Sequence, residues 1–164
     1  GPAGDTGAAG DVRPTGPTGP TEATGPAGES PNDSYASFNT FRALLTNGSL
    51  IPLFPAVSDP MGNITPADLQ TINLAPGNYL VSCSVSGLFS SPGYMQVTPS
   101  YNGSPRLDTG IYFATAANGS SVCGSVFFII QAPTQTTFTL TYSGSNRATD
   151  GHISLTFLRL NGPV

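Results

Sequence analysis

The chain's one imidazole, His152, follows Thr149-Asp150-Gly151, with no second His and no nearby Glu. A catalytic zinc takes three protein ligands, and a general base needs a proton-transfer partner within hydrogen-bond reach. His152 therefore reads as a surface residue at the start of a strand. Serine is plentiful, but no Gly-x-Ser-x-Gly elbow presents one as a nucleophile. Asp108 and Asp150 stand apart, without the dense carboxylate spacing of a calcium loop. Cys83 and Cys123 are the only cysteines, and buried thiols behave as small hydrophobes. Neither an enzyme nor a bound cofactor or metal is expected from these groups.

The elements that would position such residues are of two kinds, and composition separates them. Charged residues make up 9% of the 164, with no Lys and no Trp, while Gly (20) and Pro (16) are abundant; typical domains carry about 25% charge. Residues 1–30 hold Asp5, Asp11, Glu22 and Glu29 against Arg13, which is most of the net charge of −4. The remainder sets Arg42, Arg106, Arg147 and Arg159 against five Asp, so it offers no basic face for nucleic acid. No apolar run of about 18 or more residues occurs, so no membrane span is expected. The sequence opens in mid-repeat at Gly1, with neither an initiator Met nor an apolar signal segment, and reads as a fragment or processed product.

Residues 1–30 repeat in threes: Gly stands at 1, 4, 7, 10, 16, 19, 25 and 28, and Arg13 and Glu22 replace it without shifting the frame. Three polyproline-like chains wind with every third residue against an axis where only Gly fits. Pro occupies the second triplet position at 2, 14, 17, 20 and 26, where its fixed φ suits that helix. The segment reads as a collagen-like stalk of ten triplets, interrupted twice; the alternative is a disordered Gly/Pro/Thr linker. The third position never holds Pro and is mostly Thr, at Thr6, Thr15, Thr18, Thr21 and Thr24.

From Pro31 onward the triplet gives way to alternation. Tyr79, Val81, Cys83 and Val85 alternate with Leu80, Ser82, Ser84 and Ser86; Phe138, Leu140 and Tyr142 alternate with threonines; Ile153, Leu155 and Phe157 alternate with Ser154 and Thr156. Such runs are strands with one face in a core. Val126 to Ile130 is continuously apolar and predicts a strand buried on both faces. Asn47-Gly48, Pro76-Gly77, Asn102-Gly103, Asn118-Gly119 and Ser143-Gly144-Ser145 are turn signals. Thr65 to Gln70 is the only stretch with helical character, and it is short. The fold class is all-β: residues 31–164 form an antiparallel sandwich.

Two resemblances sharpen this. Ile72 to Val81, with its Pro-Gly-x-Tyr-x-aliphatic order, resembles the tumour-necrosis-factor and complement-head jelly roll, and the strands expected at 121–130, 136–142 and 152–160 follow in that order. The Gly-Pro-Thr triplets, with Tyr35-Ala36-Ser37-Phe38 and Asn47 to Leu53, resemble the BclA-like collagen-like glycoproteins of spore surfaces. That likeness implies a structural subunit of an exosporium filament, on an extracellular surface. It also implies O-linked sugar on Thr6, Thr15, Thr18, Thr21 and Thr24, and contacts with spore-coat or surface-layer proteins through an upstream segment. The alternative is an adhesin or receptor-binding head for a carbohydrate or host-surface ligand, which exposed aromatics or arginines near Arg106 or Arg147 would favour. The resembled topology puts Cys83 and Cys123 on neighbouring strands, so a disulfide joins two buried thiols as an alternative. The sequons at Asn32, Asn47, Asn63, Asn102 and Asn118 are expected to be unmodified in a bacterial product. A homotrimer follows from the stalk, which needs three chains. Phe157, Leu158 and Leu160 on the terminal strand are its interface candidates.

Overall fold

The computed structural model describes residues 1–28 and 32–164. The chain divides into two units, residues 1–30 and 31–164. The described part of the first has neither helix nor strand, and its side chains are exposed. Its glycines have open space around them. A Gly-X-Y backbone makes no hydrogen bonds within one chain, so a single copy has nothing to fold against.

The described residues of the second unit form twelve strands: β1 (Tyr35–Leu45), β2 (Ser49–Leu50), β3 (Phe54–Val57), β4 (Ile64–Pro66), β5 (Ile72–Leu74), β6 (Gly77–Phe89), β7 (Gly93–Tyr101), β8 (Ser104–Pro105), β9 (Ile111–Thr115), β10 (Ser120–Ala132), β11 (Thr136–Gly144) and β12 (Ala148–Leu160). They form two antiparallel sheets. One runs β10-β6-β12-β1-β3; the other runs β4-β5-β11-β7-β8, with β2 added on β11 and β9 on β7. The core lies between them, because strict alternation sends one side of each long strand inward. Phe157 stands at its centre, edge-on to Phe38 and to Phe138, with ring centroids 6.1 and 5.0 Å apart. Buried tyrosines need a partner for the hydroxyl: Tyr79 donates to the Ala75 carbonyl at 2.6 Å and Tyr142 to the Asn146 carbonyl at 2.7 Å.

Turn chemistry is met most plainly at Asn102-Gly103, where both residues have positive φ (52° and 80°) and join β7 to β8, the left-handed pair that a tight hairpin requires. Pro76-Gly77 serves differently. Gly77 opens β6, and a Cβ there would collide with the Arg159 guanidinium. Thr65 to Gln70 holds no helix; among the described residues the single 3-10 turn spans Leu107–Thr109.

Two expectations are corrected. The apolar run Val126–Ile130 is not buried on both faces: β10 is an edge strand with Val122, Phe128 and Ile130 inward, while Phe127 and Ile129 are 71% and 55% exposed. Continuous apolarity here marks an outward face that is itself greasy. The terminal strand starts at Ala148 rather than at His152, because a bulge at Asp150 (φ 51°) lets pairing resume upstream. A matching irregularity at Arg42 (φ 52°) interrupts β1 where it runs beside β12.

Candidate functional site: the outward face of the five-stranded sheet

The register places residues of four strands in rows across the outer side of this sheet. Ile129 lies opposite Leu80, Leu80 opposite Leu158, and Leu158 opposite Tyr35. The next outward row is Phe127, Ser82, Thr156 and Ser37, and the one after is Ser125, Ser84, Ser154 and Asn39. Cys123, Ser86 and His152 form a fourth. The face is thus apolar where β1 begins, carries a belt of small hydroxyls in the middle, and ends in a thiol and an imidazole. Side chains as small as serine let another surface approach closely, and an exposed apolar row on a sheet is a contact surface in search of a partner.

At the far end, Ser84, Ser86, Cys123, Ser125 and His152 line a shallow depression. Ser86 separates the thiol from the imidazole by two strand spacings, about 9.6 Å, so they do not form a nucleophile–base pair. His152 packs instead edge-on against Phe41, with centroids 5.8 Å apart, and Arg42 lies over the same ring at 5.1 Å. Among the described residues no three His, Cys, Asp or Glu side chains converge.

Both cysteines are free thiols, the first of the two expectations, but the disulfide alternative and the burial of Cys123 are corrected. β6 and β10 are neighbours, but Cys83 faces Val126 and Cys123 faces Ser86. A three-residue stagger puts the Cα atoms about 11 Å apart, beyond the about 7 Å that a disulfide spans. An odd offset also puts the side chains on opposite faces, so Cys83 is buried and Cys123 exposed. Burial pushes the Cys83 thiol up to about 12, which keeps it protonated and inert. Of the interface candidates, Phe157 is 0% exposed and belongs to the core, whereas Leu158 and Leu160 have the outward parity. The five stalk threonines are all exposed.

Sequence reasoning missed Asp59. Its carboxylate accepts from the Ser34 hydroxyl at 2.5 Å and from the backbone N–H groups of Met61, Asn63 and Ile64 at 2.8 to 3.0 Å. Partial burial would raise its pKa, but these four hydrogen bonds more than offset that and hold the carboxyl below its ordinary value. The loop 59–64 is thereby tied to the residue just before β1. The available signal was Asp59-Pro60-Met61-Gly62, a turn sequence.

No family model matches the chain, and no curated protein is similar to it in sequence. Solved structures do match. The globular domain of zebrafish complement 1qA superposes with a TM-score of 0.55 at 9% identity, over 76% of this chain and 94% of that one. Eiger TNF from S. frugiperda gives 0.55 at 11% identity, over 80% and 95%. Residues 32–164 form a jelly roll of the complement-head and TNF type. At such identities the likeness is one of fold.

Proposed function

We propose that this chain is a non-enzymatic structural subunit whose jelly roll nucleates a homotrimer and caps a collagen-like stalk. The observation that carries this reading is the outward apolar row of exposed Ile129, half-buried Leu80, and exposed Leu158 and Tyr35, with exposed Phe127 beside it. An antiparallel sheet usually shows water a polar face, and here that face is greasy on a chain whose first thirty residues call for three copies. Three heads meeting on this face set the register of three Gly-X-Y segments. The stalk resemblance extends the reading to a filament of a spore's exosporium, with Thr6, Thr15, Thr18, Thr21 and Thr24 glycosylated and other surface-layer proteins bound upstream. Sedimentation equilibrium of residues 1–164 tests the assembly. A trimer at micromolar concentration is expected, with Phe127→Asp/Ile129→Asp shifting it to a folded monomer. A wild-type monomer, or a trimer indifferent to the double variant, overturns the reading.

A second reading, recognition of a surface ligand, is favoured by a separate observation. Two exposed tyrosines, Tyr94 and Tyr112, stack on the other sheet. Tyr94 is hydrogen-bonded through its backbone to Ser145, two residues from Arg147.

A further inference from the structure

We propose that the outward face of the seven-stranded sheet holds a binding site for an uncharged carbohydrate, built on Tyr94 and Tyr112; this deepens the recognition reading and is independent of the assembly reading.

Tyr112 lies opposite Gln96, and Tyr94 opposite Ala114, so the two rings are diagonal neighbours on β9 and β7. Their centroids are 5.9 Å apart and their planes differ by 26°, an offset arrangement that keeps ring surface open to water. Tyr94 is 43% and Tyr112 63% exposed. The outward positions beside them are Gln96 on β7 and Thr139, Thr141 and Ser143 on β11, while Thr98, next along β7, is buried. None of these is ionisable. The face is an apolar patch bordered by one amide and several hydroxyls.

That chemistry matches a pyranose. A sugar ring offers C–H groups on its faces and hydroxyls at its rim; the first lie against aromatic rings, and the second exchange hydrogen bonds with amides and hydroxyls. An anionic ligand would need arginines or lysines on the face. A peptide adding as a strand would read the backbone edge rather than the side-chain face. A proline-rich peptide needs a groove between aromatic ridges, and rings this close leave none.

The platform is also held still, which lowers the ordering cost of binding. Ser145 accepts the Tyr94 N–H on its Oγ at 2.8 Å and donates its own N–H to the Tyr94 carbonyl at 3.1 Å. Asn146 Nδ2 donates to the Ser91 and Pro92 carbonyls at 2.8 and 2.9 Å, fixing the approach to β7. Any Cβ on Gly144 would run into the Tyr94 carbonyl and the Tyr142 hydroxyl.

Aromatic cross-strand pairs also stabilise sheets, so the test must read binding apart from stability. The chain has no Trp, which makes tyrosine emission a direct probe. Residues 1–164 are titrated with maltohexaose, cellohexaose, chitohexaose and a linear mannohexaose, then with a heparin hexasaccharide and a Pro-x-x-Pro peptide, each followed by fluorescence and saturation-transfer NMR. At least one neutral hexasaccharide is expected to bind. Tyr94→Ala and Tyr112→Ala should each weaken it by about tenfold or more, while Tyr112→Phe keeps most of the affinity. The thermal midpoints are recorded alongside, so that loss of binding is scored only for folded variants. No binding by any neutral sugar, or binding that survives the double alanine variant, overturns the proposal. Tyrosine-dependent binding of heparin or of the peptide instead overturns the carbohydrate assignment while leaving the recognition reading standing.

Discussion

The two sheets share one core yet turn different faces outward. The five-stranded face carries Phe127, Ile129, Leu80, Leu158 and Tyr35 at one end and a serine belt beyond. The outward positions of β11, β7 and β9 on the seven-stranded sheet are mainly threonine, serine and glutamine, with Tyr94 on β7 and Tyr112 on β9 standing out. Core packing imposes the same alternation on both, so it cannot account for the contrast. What differs is the destination of the outer side chains. Small hydroxyls and exposed aliphatics suit close approach of another protein surface, whereas branched threonines suit a strand that stays in water. On the assembly reading proposed above, the first face is the one that meets other copies and the second stays free.

The largest expected effect separates inside from outside on a single strand. Phe157→Ala should cost about 3–5 kcal/mol per subunit, the range for truncating a buried aromatic, whereas Leu158→Ala, one residue on, should cost less than about 1 kcal/mol in a dissociated head. Paired melts at several concentrations check this, because Leu158→Ala should make the midpoint less concentration-dependent than that of the wild type if its face is an interface. Equal losses from both substitutions would erase the distinction between the two sides of β12.

Asp59 gives a smaller, pH-dependent effect. Its folded pKa is lowered, so its contribution is complete above its unfolded value of about 3.9 and is lost as pH falls through the lower folded value. Asp59→Asn should cost about 1 kcal/mol at pH 7, and the gap from wild type should narrow as pH falls below the unfolded value. Urea melts across pH 2.5–7 read this; a gap that does not vary with pH would mean the loop is held by its turn geometry rather than by the carboxylate. The smallest effect is at His152, where replacement by Ala gives up an exposed edge contact with Phe41 and should stay within about 0.5 kcal/mol. A loss comparable to that of Phe157→Ala would put His152 inside a subunit contact.

Much was legible in the chain itself. The glycine period separated residues 1–30 from the rest, and alternation in Tyr79–Ser86, Thr137–Tyr142 and Ile153–Phe157 named the strands and their inward sides. Both signals are local, set by the crowded collagen axis and by the period of a pleated strand. The sequence also established that no catalytic set is spelled out in a motif. Position within the sheet lay beyond it. Val126–Ile130 reads alike whether central or at an edge, and only the topology put β10 at an edge and exposed Phe127 and Ile129. The pairing register kept Cys83 and Cys123 apart by sending them to opposite faces. Tyr94 and Tyr112, eighteen positions apart in sequence, became neighbours only through β7–β9 pairing. Local propensity determines which residues form a strand, but the strand's neighbours are chosen by long-range packing, and it is the neighbours that make a face.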